Sequence, residues 1–213
     1  MTARIEHLET AGTFSLDGGT WEVENNVWIV GDDQEVVVID PAHDAEAVAA
    51  AVGDRKVGAI LLTHAHDDHV SEVFDVQKLV GGRIHLHPED HVLWEQTHGS
   101  ARPEVEISDG DVVTVAGTTL TALHTPGHSP GSTCFYADDL DGAPALFSGD
   151  TLFEGGPGAT GKSYSSFDTI IESIRTRLFD ELPDTTVVHT GHGPKTTIGQ
   201  ERPHLQEWID RGE

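Results

Sequence analysis

Five times in this chain a strand-like apolar run stops one to four residues short of a histidine or an aspartate: Asp40, His64, His128, Asp150 and His192. Groups placed just past strand ends are brought to one rim when the strands lie side by side, because a rigid sheet fixes where each loop begins. That spacing points to a layered α/β fold. Val36-Val37-Val38-Ile39 and Ala59-Ile60-Leu61-Leu62 are continuous apolar runs of the kind found in strands buried on both faces. Between them, residues 44–52 read as an alanine-rich helix stopped by Gly53.

The remainder alternates in the same way. Residues 69–80 read as one helix, with Val73, Val76 and Val80 on a face and Gly81-Gly82 at its end. Strands are expected at 84–87, 112–115, 120–124, 133–136, 145–147 and 185–188, with a short helix opened by Pro88. Phe167, Ile170, Ile171, Ile174 and Leu178 have the spacing of an amphipathic helix, and a polar helix is expected over 204–210. Trp21, Trp28, Trp94 and Trp208 are assigned to the core by default.

The densest chemistry follows the second buried run. In Thr63-His64-Ala65-His66-Asp67-Asp68-His69, imidazole and carboxylate groups crowd into six positions, and His128, Asp150 and His192 each follow a glycine. Mixed imidazole and carboxylate donors suit Zn²⁺, Fe or Mn, whereas Ca²⁺ or Mg²⁺ sites rely on oxygen. The other histidines, His7, His43, His85, His87, His91, His98, His124, His189 and His204, are read as ordinary hydrogen-bonded residues.

Composition narrows the partners. A formal net charge of −25 repels phosphate backbones and anionic membranes, so a small-molecule substrate is expected and nucleic acid and membrane partners are not. One cysteine, Cys134, excludes an internal disulfide, and the N-terminal residues lack the pattern of a secretory signal. Together these predict a cytoplasmic protein with one domain over residues 1–213.

Taken as a set, VVVIDP (36–41), THAHDDH (63–69), HTPGHSPGS (124–132), SGDTLF (148–153) and TGHGP (190–194) resemble the metallo-β-lactamase superfamily. Within it they are most similar to the glyoxalase II-like, or hydroxyacylglutathione hydrolase-like, thioester hydrolases. The resemblance implies an α/β fold, the four-layer αββα sandwich, with a metal cleft at one edge of the sheets. It implies that His64, His66 and His128 hold one ion and that Asp68, His69 and His192 hold a second. Asp150 would bridge them, and Asp40 would support the metal loop without binding. Two divalent ions, zinc first and iron or manganese otherwise, would lower the pKa of bound water toward about 7 and supply hydroxide for attack on a carbonyl. Asp68 would orient that nucleophile as the catalytic residue.

The substrate is less sharply marked. Gly161-Lys162-Ser163-Tyr164 is similar to a glyoxalase II segment that holds the thiol half, which makes Lys162 and Tyr164 the expected substrate contacts. His192 is followed by Gly193-Pro194 where glyoxalase II has acidic and aromatic residues, and the C-terminal helical domain of that family is not expected here. Thioester hydrolysis is the leading expectation. A mononuclear-iron persulfide dioxygenase using His64, His128 and Asp150, and a lactone or ester hydrolase, are the alternatives.

Overall fold

The computed structural model describes residues 2–212. Its first sheet runs in the order β1 (Arg4–Leu16), β2 (Gly19–Gly31), β3 (Glu35–Ile39), β4 (Lys56–Leu61), β5 (Arg83–Leu86) and β6 (Val105–Glu106). The second contains β7 (Val112–Val115), β8 (Thr118–His124), β9 (Thr133–Leu140), β10 (Ala143–Gly149), β13 (Val187–Thr190) and β14 (Thr196–Thr197). Its order across the sheet is β14-β13-β10-β9-β8-β7. A two-strand ribbon, β11 (Leu152–Phe153) and β12 (Gly156–Pro157), lies apart from both sheets. The helices are α1 (Ala45–Val52), α2 (Asp67–Val70), α3 (Val73–Val80), α4 (His91–His98), α5 (Phe167–Ser173), α6 (Ile198–Glu201) and α7 (Leu205–Arg211).

The layering follows from the two-residue period of a strand. In β3, Val36 and Val38 point to one side and pack with Val48 and Val52 of α1 and Val73 and Val76 of α3. Val37 and Ile39 point to the other side, where they meet Leu120, Phe135 and Phe147 of the second sheet. The outer face of that sheet (Leu123, Cys134, Leu146, Val188) is covered by Ile170, Ile171, Ile174 and Trp208. The result is helix, sheet, sheet, helix: the αββα sandwich. Each fully buried Val or Ile in these runs contributes roughly 1.5–3 kcal/mol. Among the described residues, no helix is long and apolar enough to cross a membrane.

Three features differ from the sequence expectation. The helix expected over 69–80 is divided into α2 and α3 at Ser71-Glu72, so the His69 turn is set apart from the packing helix. The last expected strand begins later, at Val187, because Thr186 instead bonds back to Pro183 in a turn. The third is the β1–β2 hairpin, paired from Arg4↔Gly31 to Leu16↔Gly19. Its Asp17-Gly18 turn has positive φ at both residues (53° and 77°), the type I′ geometry that matches strand twist. Trp21 lies on this hairpin and is 41% exposed, so it is not a core residue; Trp28, Trp94 and Trp208 are.

Cys134 is fully buried on β9, and burial pushes its thiol up to about 11. Since the thiolate is the reactive form, iodoacetamide at pH 8 is expected to leave the folded protein unlabelled and to modify it fully after denaturation. Mass spectrometry showing rapid labelling of the native protein would contradict this placement.

Candidate metal centre

The loops at one end of the sandwich bring the seven expected groups together. His64, His66 and His128 form one potential cation-holding group, and Asp68, His69 and His192 another. In the first, His66 Nδ1 and His128 Nε2 are 2.9 Å apart. In the second, His69 Nε2 and His192 Nε2 are 3.3 Å apart, with Asp68 Oδ2 at 3.5 and 3.3 Å from them. Asp150 stands between the groups. Its Oδ2 is 3.5 Å from His128 Nε2 and 3.4 Å from His192 Nε2, while its Oδ1 is 3.5 Å from His69 Nε2.

The opposite nitrogens of four rings are tied to the protein, which aims the inner ones. His128 Nδ1 donates to Ala159 O (2.9 Å), and His192 Nδ1 donates to Glu24 O (2.6 Å). Asp40 organises the other two. Its Oδ1 accepts from Thr63 N, and its Oδ2 accepts from the Thr63 hydroxyl and from His69 Nδ1. With its one proton given to Asp40, Thr63 Oγ1 is left to accept from His64 Nδ1 at 3.1 Å. Asp40, His64 and His69 also lie close enough to hold a cation together. The Asp40 oxygens, however, are already engaged by Thr63 and by the outer nitrogen of His69, so its place is behind the ligand rings.

Two atoms test whether cations fit. His64 Nε2 and Asp150 Oδ1 are buried and have no hydrogen-bond partner. Leaving such atoms unpaired costs about 1–3 kcal/mol each, more when charged. An ion among these donors would satisfy both, and the mixture of imidazole and carboxylate is appropriate to a transition metal.

The titration pattern has the same meaning. Burial pushes His64 well below the usual histidine range, and burial with the neighbouring His128 brings His66 to about 3. Both are therefore neutral lone-pair donors at pH 7. Burial also opposes charge on His69 and His192, but the Asp68 and Asp150 carboxylates outweigh it. They hold His69 well above its ordinary value and His192 at about 10. Burial raises Asp68, yet His69, His192 and Asn25 together bring it to about 2. The two carboxylates stay ionised and require positive charge nearby, from protons or from metal.

Glycines allow this crowding. A Cβ on Gly191 would come within 2.2 Å of Asp150 Oδ1, and one on Gly149, at φ 48°, within 2.2 Å of Thr63 Oγ1. Neither loop could approach so closely with a larger residue.

A cavity of about 260 Å³ opens over the cluster, lined by Phe14, Val23, Phe153 and Ala159 together with His66, Asp68, His128, Asp150 and His192. Lys162 and Tyr164, expected as substrate contacts, are outside this lining. Lys162 Nζ sits 4.2 Å over the Trp21 ring, and Trp21 stacks on Phe14, so the ammonium is one ring beyond the wall. Tyr164 is 51% exposed.

Several contributors escaped the sequence reading. Asn25 donates to Asp68 Oδ2 (3.0 Å) and holds His43 through its Oδ1, while Asn26 donates to the Thr190 and Gly193 carbonyls. The available signal was two adjacent amides leading straight into Val27–Val30, an apolar run. Phe14 and Val23 were missed with the hairpin.

An αββα sandwich with histidine and aspartate groups suited to metal at one rim defines a metallohydrolase class. The metallo-beta-lactamase superfamily model matches residues 20–192, and the chain belongs to that superfamily. It is 32% identical to hydroxyacylglutathione hydrolase GloC of Haemophilus influenzae over 195 residues, covering 84% of this chain and 90% of that protein. Among solved structures, the BLEG-1 B3 metallo-beta-lactamase superposes with a TM-score of 0.73 at 31% identity, covering 92% of this chain and 98% of the other. TTHA1623 in a di-iron-bound form gives 0.73 at 32% identity, covering 91% and 96%.

Proposed function

We propose that this protein is a binuclear metal-dependent hydrolase of thioesters, acting on S-acyl conjugates of a low-molecular-weight thiol. The observation that carries the reading is the complete pair of donor groups with Asp150 between them. The single-iron alternative would leave Asp68, His69 and His192 without a role. His64, His66 and His128 would hold one ion, Asp68, His69 and His192 the other, and Asp150 both. Ions in these positions would supply Lewis acidity and acidify water toward a pKa of about 7. Zinc is the proposed pair; iron, the metal of the di-iron-bound TTHA1623 structure, is the alternative that elemental analysis would reveal.

The chain itself provides orientation and exclusion of water. Asp68 remains a carboxylate and is fixed by Asn25, so it can accept a hydrogen bond from the attacking water and aim its lone pair. Phe14, Val23 and Phe153 give the acyl group an apolar wall. The scissile carbonyl would lie below them, and the thiol half would pass toward Trp21 and Lys162. The similarity to a hydroxyacylglutathione hydrolase supports the thioester class. The net charge of −25 favours a carrier with fewer negative charges than glutathione.

The deciding experiment is a panel of S-lactoyl and S-acyl thiols assayed with metal-replete protein. Turnover that is abolished by chelation and restored by zinc or iron is expected. Hydrolysis of lactones or simple esters with no thioester turnover would overturn the substrate assignment, and sulfide-linked oxygen uptake with one iron per chain would overturn the reaction.

A further inference from the structure

Asp90 lies at the start of α4, fully buried, and none of the donor groups described above includes it. Its Oδ2 accepts from Ala65 N (2.8 Å) and Ser129 Oγ (2.9 Å), and its Oδ1 accepts from Gly131 N. Ala65 is the residue between His64 and His66. Ser129 is the residue after His128. One carboxylate thus ties together the two loops that supply the first donor group, although they are more than sixty residues apart in sequence.

The surroundings are built for that contact. A Cβ on Gly131 would lie 2.7 Å from Asp90 N and 2.9 Å from Asp90 Cγ, so a larger residue would force the loop off the carboxylate. Ser132 Oγ is 2.8 Å from Ser129 Oγ and accepts from Ser129 N, which fixes the hydroxyl that reaches Asp90. The second donor group is held by other means: Asp40 on His69, Asn25 on Asp68 and the Glu24 carbonyl on His192. Asp40 also reaches His64 through Thr63 and so serves both halves, whereas the contacts of Asp90 fall on the two loops of the first half.

We propose that Asp90 is a positioning residue that sets the distance of His64 and His66 from His128, and so governs the affinity of one ion and not the other. This rests on the two-ion reading above. Asp90→Asn keeps the shape but offers one acceptor oxygen to three donors, so an N–H of one loop would face an NH₂. Outer contacts of this kind typically alter metal affinity about 10–100-fold.

The test is competition for Zn²⁺ against a chromophoric chelator, using the full chain. Asp90→Asn is expected to weaken one of two binding steps about 10–100-fold and to leave the other within about twofold. The same substitution should produce its full effect in a His192→Ala background and none in a His128→Ala background. Should Asp90→Asn fail to fold, Ser129→Ala, which removes one of the three donors, should weaken the same step by a smaller factor. Equal weakening of both steps, or of neither, overturns this inference while leaving two-ion binding intact. A wild-type protein that binds only one ion overturns the two-ion reading and this inference with it.

Discussion

Asp150→Ala is expected to reduce thioester turnover at least about a thousandfold, equivalent to roughly 4 kcal/mol of transition-state stabilisation, and to leave the purified protein with fewer than two ions. The effect is large because this carboxylate stands within 3.5 Å of ring nitrogens from both donor groups. Without it, His69 and His192 lose part of the negative field that draws positive charge to them, and the two groups lose their shared member. Elemental analysis and steady-state kinetics on the same preparation would measure both consequences. Two retained ions with turnover within tenfold of wild type would remove Asp150 from the centre.

Loading the metal-free protein at pH 7 should release protons. His192, held at about 10 by Asp150 and Asp68, and His69, also held well above its usual range, both carry protons that an incoming cation must displace. His66, at about 3, has none to give. The sign is fixed: as pH falls, protons compete better, and each proton displaced costs about tenfold in apparent affinity per pH unit. Between pH 8 and pH 6 the group containing His192 should therefore weaken at least about a hundredfold. Calorimetric titration in buffers with different protonation heats would count the protons. A count near zero at pH 7 would dismiss His69 and His192 as ligands.

How far the sequence reveals this architecture depends on where each signal is written. The runs Val36–Ile39 and Ala59–Leu62 are apolar throughout because helices cover one face and a second sheet the other, so burial could be inferred without knowing the partners. All seven expected donors converge, since a motif that follows a strand end inherits its position from the sheet. Lys162 was less legible: whether an ammonium faces a substrate or a tryptophan depends on where the hairpin lies, and the hairpin was not read. Its Asp17-Gly18 turn was a usable signal, but Thr10 and Gly12 interrupt the apolar side of β1, whose positions otherwise alternate from His7 to Leu16, and β2 does not alternate beyond Glu24. Asp90 was illegible for a further reason. Its three partners come from residues 65, 129 and 131, and no local pattern marks a carboxylate whose donors are distant backbone and hydroxyl groups.

The donors are also divided between the two sheets. Residues 64–69 follow β4 of the first, whereas His128, Asp150 and His192 follow strands of the second. A cation seated among them is consequently a reversible cross-link. By joining position 69 to position 192 it ties together parts of the chain roughly 120 residues apart, and because those donors meet only in the folded protein, it binds the folded state in preference to the unfolded chain. Its binding free energy is thereby added to the cohesion between the sheets, in a chain whose self-repulsion works the other way.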